Sequence, residues 1–185
     1  MTAAIEPAPA LTRESVLAAL EEVPDPEIPN VSVVELGMIG EIEVESGDPG
    51  IRVELLPTFV GCPAIEVIRD AIAHRLEAFG RPVSVDVSFA TPWSSDRISP
   101  AGREKLRRSG FAPPAWVASG RALPMLDLPP AGSSAGSALD LDAPVPCPFC
   151  GSERTSLQSA FGPTLCRMVW HCAECRQPFE AFKPV

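Results

Sequence analysis

The chain has 185 residues, 45% of them hydrophobic, and a formal net charge of −9. This length accommodates one ordinary domain with a smaller one, or two small domains. The acidic charge argues against nucleic acid as a partner, because phosphate binding needs a basic surface. No apolar run approaches the roughly 20 residues of a membrane-spanning helix, and the N-terminus lacks the features of a signal peptide. The sequence therefore predicts a cytoplasmic protein that binds neither nucleic acid nor membranes.

The N-terminal part of the chain shows the hydrophobic periodicity of a small α+β domain. After a tail at 1–10, the predicted elements are a helix over 12–23, a β-type run over 31–35, strands over 41–45 and 51–55, a helix over 63–79 and a strand over 83–89. The main order α-β-β-α-β predicts a sandwich with helices on one face of a three-stranded sheet. The first strand pair should be antiparallel, and the helical crossover should make the last strand parallel to one of them.

Cys62 stands where the second predicted helix begins, in the segment Leu56-Pro57-Thr58-Phe59-Val60-Gly61-Cys62-Pro63. Because Pro63 suits the first helical position, Cys62 is the predicted N-cap, where unpaired backbone N–H groups and the helix dipole favour a thiolate. The alternatives are an inert buried cap, a transient ligand of a metal or cluster, and a nucleophile. The only histidines, His74 and His171, suggest no catalytic dyad, so the pattern favours a ligand over a nucleophile.

A basic segment at 97–108 follows the last predicted strand. Ser99 and Pro100 predict the N-cap and first residue of a short helix closed by Gly110. Its basic side chains are Arg97, Arg103, Lys105, Arg107 and Arg108. A solvated helix face is the simpler interpretation, and a docking site for an acidic protein or a phosphate-bearing ligand is the alternative. Residues 112–144, rich in Pro, Ala, Gly and Ser, are predicted to be a linker that contains a leucine run at 123–128.

The C-terminal part carries a metal-binding pattern. Two C-x-x-C pairs, separated by 21 residues, are formed by Cys147, Cys150, Cys172 and Cys175. They predict a tetrahedral thiolate site in a zinc ribbon over 145–185, where structural zinc would supply folding energy that so small a core lacks. A mononuclear iron site or an iron–sulfur cluster uses the same ligands and is the alternative. Cys166 is a surplus thiol that suits a core position, a spare ligand or a redox role.

Several segments together resemble known families. Asp25-Pro26-Glu27-Ile28-Pro29 and the segment that ends at Cys62-Pro63 resemble the two signatures of the SufT-like metal–sulfur cluster biosynthesis domain, here placed at 11–111. Further segments are Thr91-Pro92-Trp93-Ser94-Ser95-Asp96-Arg97-Ile98-Ser99, Gly110-Phe111-Ala112-Pro113-Pro114, the cysteine ribbon and Phe161-Gly162-Pro163-Thr164-Leu165-Cys166. With these the chain resembles the PaaD (PaaJ) family, the D subunit of bacterial phenylacetyl-CoA epoxidase, outside residues 1–10 and 120–143.

The resemblance implies a non-catalytic accessory or maturation subunit in aerobic phenylacetate catabolism, with the oxygenase and reductase subunits as partners. It implies structural zinc on the four ribbon cysteines and transient handling of iron or an iron–sulfur cluster at Asp25, Glu27 and Cys62. Cys166 falls on a cysteine of the family pattern. The alternative is a structural interaction module that stabilises the oxygenase without metal transfer. The oligomeric state, including a homo-oligomer, is left open.

Overall fold

A computed structural model describes residues 11–44, 50–116 and 144–184. The predicted tail and the leucine run at 123–128 therefore lie outside the described residues. No helix in the described part of the chain has the length and apolar character needed to cross a membrane.

The chain divides into two compact units. The first comprises the residues up to Trp93 together with Arg97–Lys105, and the second comprises Ser94–Asp96 together with the residues from Leu106 onwards. One boundary falls between Lys105 and Leu106, inside the helix Pro100–Arg108 that carries the basic side chains. The sequence instead places the end of the first domain at 111.

In the first unit, two helices cover one face of a three-stranded sheet. Its elements are α1 (Arg13–Leu20), β1 (Ile39–Glu43), β2 (Ile51–Leu55), α2 (Ile65–Leu76), a 3-10 turn (Glu77–Phe79) and β3 (Val83–Val87). The strand order is β1-β2-β3, in which β2 is antiparallel to β1 and parallel to β3. The predicted α+β class, the hairpin and the parallel third strand are confirmed.

The apolar periodicity explains which faces are buried. In α2 the buried residues Ile68, Ile72 and Leu76 recur at about one-turn intervals, while His74 on the opposite side is exposed. In β2 the residues facing the helices are buried and Arg52 is exposed. Burial of each large aliphatic side chain contributes about 1.5–3 kcal/mol, so this stripe suffices to dock the helix on the sheet.

The segment 31–35, predicted as a β-type run, is a turn instead. Ser32 forms a single isolated bridge with Pro24, and the Leu36 N–H donates to the Ser32 carbonyl at 2.9 Å. The Ser32 N–H donates to Glu35 Oε2 at 2.9 Å, and the Glu35 N–H donates to Ser32 Oγ at 3.1 Å. These local side-chain bonds to the backbone compete with a strand ladder, so the prediction of a strand was wrong here.

Helix α3 (Pro100–Arg108) begins where the sequence predicts, after a 3-10 turn at Ser95–Arg97. The Gly102 N–H donates to Ser99 Oγ at 3.0 Å, as expected of an N-cap serine. Lys105 Nζ lies 2.6 Å from Glu35 Oε1. Burial raises the pKa of Glu35, but the bonds from Lys105 and Ser32 outweigh that effect and bring the pKa below its usual value.

We expect Glu35→Gln to lower the free energy of unfolding by about 1 kcal/mol at neutral pH. Because the pKa of Glu35 is lower in the folded than in the unfolded chain, the carboxylate stabilises the fold above the unfolded value near 4.5. That stabilisation is lost as the pH falls through the folded-state pKa. Urea titrations of both proteins should show the difference shrinking on acidification, and a double-mutant cycle with Lys105→Met should isolate the ion pair. A difference that is constant with pH would contradict this account.

The second unit contains a four-stranded sheet with the order β4-β7-β6-β5. Its strands are β4 (Phe111–Ala112), β5 (Thr155–Ser159), β6 (Arg167–Cys172) and β7 (Pro178–Phe182). β6 is antiparallel to β5 and β7, whereas β4 runs parallel to β7. The sequence did not predict β4, because two residues show no periodicity, and it assigned Ala112 to the linker. The ribbon expected at the C-terminus is present.

Candidate metal centre and cysteine loop

Four cysteines converge in the second unit. The Sγ atoms of Cys147, Cys150, Cys172 and Cys175 all lie within 4.8 Å of one another. Cys147 Sγ is 3.7 Å from Cys175 Sγ, and Cys150 Sγ is 3.6 Å from Cys172 Sγ. A tetrahedral zinc ion with bonds of about 2.3 Å places its sulfur ligands about 3.8 Å apart. The four thiols therefore fit a single four-coordinate ion, and this fit satisfies all four ligand positions, as in structural sites.

Backbone turns position the two C-x-x-C pairs. The pair Cys147 and Cys150 is called the first knuckle, and the pair Cys172 and Cys175 the second. Gly151, at a φ of +74°, follows Cys150, and its N–H donates to the Cys147 carbonyl at 2.9 Å. In the second knuckle Arg176 takes the left-handed conformation at a φ of 60°, and the Cys172 N–H donates to the Gln177 carbonyl at 3.0 Å. Glycine at the first turn is readable from sequence, whereas the same conformation at an arginine is not.

The thiols differ in acidity. Backbone N–H groups of Cys175 and Glu174 lower the pKa of Cys172 to about 7. The Gln177 N–H lowers the pKa of Cys175, but burial and hydrogen bonds with the other three thiols outweigh it and raise that pKa to about 12. Cys172 thus ionises readily, whereas Cys175 resists the loss of its proton. A divalent cation would stabilise the thiolates and displace those protons, so that metal binding becomes stronger as the pH rises.

The loop that carries Cys62 differs from the prediction. α2 begins at Ile65, with Ala64 at the N-cap position and no side-chain cap. Cys62 lies two residues before Ala64, where two consecutive turns meet. Its N–H donates to the Phe59 carbonyl at 3.2 Å, and its carbonyl accepts from the Ile65 N–H at 3.3 Å. The prediction of Cys62 as N-cap was wrong, because the chain turns once more after Pro63 before the helix starts. The dipole argument for its acidity weakens accordingly, since that effect is confined to the first turn.

Asp25 and Glu27 lie on the loop after α1. Asp25 Oδ1 accepts the N–H groups of Glu27 and Ile28, each at 2.9 Å, which fixes a tight turn. Asp25 is half-buried and Glu27 is exposed. Among the described residues, the four ribbon cysteines are the only group of three or more potential ligands that the structure brings together. Asp25, Glu27 and Cys62 do not form such a group.

The structure reveals two supporting residues that the sequence did not single out as such. Trp93 Nε1 donates to the Leu36 carbonyl at 2.9 Å, and Arg97 donates to the carbonyls of Gly37 and Ile39 at 2.9 and 3.0 Å. These bonds hold the segment before β1, whose Met38 carbonyl accepts from the Leu56 N–H at 2.7 Å. They thereby support the start of the Cys62 loop. The sequence marked Arg97 only as part of the basic segment and Trp93 only through the family resemblance, and neither signal indicated these hydrogen bonds.

Cys166 lies outside the four-cysteine group. It is half-buried, and its Sγ is 3.2 Å from Thr164 Oγ1. His171, on β6 beside the ligand Cys172, is likewise not part of the group.

The fold and the cysteine group define a protein with an α+β domain followed by a metal-binding ribbon. Residues 13–89 match the family model for an iron–sulfur cluster assembly protein, and residues 131–183 match that of the PaaD zinc beta ribbon domain. A relative from Escherichia coli (strain K12), named provisionally as the D subunit of 1,2-phenylacetyl-CoA epoxidase, is 35% identical over 167 residues, which are 90% of this chain and 89% of the relative. The chain belongs to this family of phenylacetyl-CoA epoxidase D subunits, which confirms the resemblance.

Two further proteins are each similar to about half of the chain. The Fe-S protein maturation auxiliary factor YitW of Bacillus subtilis (strain 168) is 28% identical over 89 residues, covering 47% of this chain and 85% of that protein. The crystal structure of a domain of unknown function, DUF59, from Bacillus anthracis is 26% identical with a TM-score of 0.46, covering 50% of this chain and 89% of that one.

Proposed function

We propose that the chain is a non-catalytic accessory subunit of a phenylacetyl-CoA epoxidase system that assists assembly or delivery of an iron–sulfur cluster. In this proposal Cys62 is a transient ligand of iron or a cluster, and the ribbon holds structural zinc. The observation that carries the proposal is a half-buried cysteine on a turn-rich loop of a domain that matches the iron–sulfur cluster assembly family. The oxygenase and reductase subunits are the partners, and the complex is cytoplasmic.

The surroundings of Cys62 suit a transient ligand. The adjacent Gly61 has a φ of +80°, and a side chain built there would meet no atom within 4 Å. Val60, one residue further back, is exposed. Space therefore remains beside the thiol for an incoming metal or protein. A thiolate is the soft ligand that iron–sulfur clusters require, and a single cysteine binds less tightly than a closed four-thiolate site.

Asp25 and Glu27 have a subsidiary place in the proposal. The carboxylate of Asp25 shapes its own loop through two backbone hydrogen bonds, so its first role is to hold the turn. Glu27 is exposed and supplies a carboxylate that iron also accepts. We propose that both act on the docked partner or its metal, since they do not converge with Cys62 into a ligand set of their own.

We expect Cys62→Ser to lower the cluster content of the co-expressed reductase several-fold while leaving the fold and the ribbon metal unchanged. Iron and acid-labile sulfide, measured per reductase after anaerobic purification, give the readout. Cys166→Ser is the matched control, because it removes a half-buried thiol that is also outside the four-cysteine group. Full cluster loading of the reductase with Cys62→Ser would contradict the proposal. A lower cluster content with Cys166→Ser alone would indicate that Cys166, and not Cys62, is the transient ligand.

A purely structural interaction module is the second candidate, and the closed four-cysteine site favours it, because such sites hold folds together without reacting. It predicts that oxygenase activity survives Cys62→Ser but that the complex is lost on charge reversal of Arg103, Arg107 and Arg108. A pull-down of the oxygenase subunits with that triple variant separates the two candidates. Complex formation that is insensitive to the reversal would count against the module.

A further inference from the structure

An apolar groove lies in the second unit, beside the metal centre. It encloses about 770 Å³, and the ligands Cys147 and Cys150 are among its lining residues. Met168 and Phe182 of the sheet also line it, together with a series of prolines: Pro113, Pro114, Pro144, Pro146, Pro148 and Pro184. Proline rings lose little entropy when they are covered, so a wall of this kind is already organised for binding.

Two aromatic side chains stand exposed in this groove. Trp116 and Phe149 are 62% and 57% exposed, whereas Trp170 and Phe179 in the same unit are 2% and 4% exposed. Tryptophan dominates the energetics of protein interfaces when it enters a desolvated pocket. Two exposed aromatic rings in one apolar groove are therefore typical of an interaction site rather than of an ordinary protein surface.

The metal centre fixes one wall of the groove. Phe149 stands between the two ligands of the first knuckle, and its neighbour Pro148 is buried. The edge of the Phe149 ring lies only 3.2 Å from the position that a Cβ on Gly110 would occupy. The Phe149 ring therefore packs against the bare backbone at Gly110. An ion bound by Cys147 and Cys150 would hold Phe149 in place. The groove therefore depends on the metal for its shape.

The charged side chain that lines the groove is basic, and no acidic side chain is among its described lining residues. Arg107 is this basic side chain, and it is exposed. The basic lining contrasts with the chain as a whole, whose net charge is −9. A guanidinium beside an apolar hollow complements a carboxylate beside apolar side chains.

We propose that this groove binds a segment of a partner protein in which apolar side chains adjoin an aspartate or glutamate. The apolar side chains enter between Trp116 and Phe149, and the carboxylate pairs with Arg107. The inference rests on the proposed function only for the source of the segment, which is a component of the oxygenase system. The bound metal then serves to present an interaction surface.

The test uses the metal-loaded full-length chain with the purified oxygenase and reductase components. Trp116→Ser should weaken binding of the component that docks by about 30-fold or more, and Arg107→Glu by about tenfold with a reduced dependence on salt. Removal of the ribbon metal should abolish binding. In addition, acrylamide quenching should fall on complex formation, because Trp116 is the exposed tryptophan, whereas Trp93 and Trp170 are 8% and 2% exposed.

Two matched variants serve as controls. Phe161→Ser removes another aromatic side chain of the second unit, which is 78% exposed outside the groove, and Arg81→Glu reverses an exposed charge of the first unit. Both should leave the affinity unchanged. Equal losses with Trp116→Ser and Phe161→Ser, or binding unaffected by Trp116→Ser, would overturn the proposal.

Other occupants of the groove give different results. If replacing Leu123, Met125, Leu126 and Leu128 by serine increases quenching of Trp116 in the isolated chain, the chain itself fills the groove and the proposal fails. If quenching falls as the isolated chain is concentrated, the occupant is a second copy, and the proposal fails as well. The cluster-loading assay with Cys62→Ser is independent: binding that needs Trp116 without any cluster transfer would refute only the proposed function.

Discussion

Cys172→Ser is expected to abolish metal binding by the ribbon and to unfold the second unit while the first unit stays folded. Cys172 is fully buried and is one of four thiols that fit a single ion. Structural zinc contributes about 10–16 kcal/mol to folding of small domains, far more than a core of this size can replace. Metal analysis of the purified variant and limited proteolysis of both units give the measurement.

The control for this variant is Cys166→Ser, which should retain about one metal ion per chain, as a single closed tetrahedral site holds. Chelation of the unaltered protein should reproduce the effect of Cys172→Ser, and it should be easier at acidic pH, because protons compete with the metal for the thiolates. A stoichiometric ion in Cys172→Ser would mean that a fourth ligand comes from elsewhere.

Gly37→Ala should destabilise the first unit by about 3 kcal/mol or more. Gly37 has a φ of +67°, and an added Cβ would lie 2.4 Å from the Arg97 carbonyl oxygen. The substitution therefore combines an unfavourable backbone conformation with a clash against backbone atoms that cannot move aside. Urea unfolding followed by fluorescence of Trp93, the tryptophan of the first unit, measures the loss.

Gly61→Ala is the matched comparison. Gly61 also has a positive φ, of +80°, but a Cβ there would meet nothing within 4 Å. We expect a cost of about 1 kcal/mol, from backbone conformation alone. Equal losses for the two variants would show that close packing of Arg97 on the loop before β1 contributes little.

Sequence periodicity predicted the helices and strands whose buried side chains recur regularly. The stripe Ile68, Ile72 and Leu76 and the alternation along β2 each follow from one dominant effect, the burial of apolar side chains. The four ribbon cysteines were equally readable, because their spacing is imposed by the geometry of a single ion.

The remaining features depend on contacts that periodicity does not encode. The turn at 31–35 forms because Glu35 bonds to the Ser32 backbone and pairs with Lys105, 70 positions further along the chain. The late start of α2 reflects an additional turn after Cys62, which the preference of proline for a first helical position does not anticipate. The groove is lined by residues that precede 117 and by residues that follow 143. A local sequence pattern does not predict that such distant residues line one groove.

Strand β4 has a practical consequence for dissecting the protein. Phe111 and Ala112 pair with Glu180 and Ala181, so they cover the outer edge of β7. A fragment that starts at Val145 would contain all four metal ligands, yet it would leave the backbone groups of that edge unpaired. Exposed edges of this kind recruit strands from other molecules. The smallest well-behaved ribbon therefore has to begin before Phe111, and self-association of shorter fragments says nothing about the intact protein.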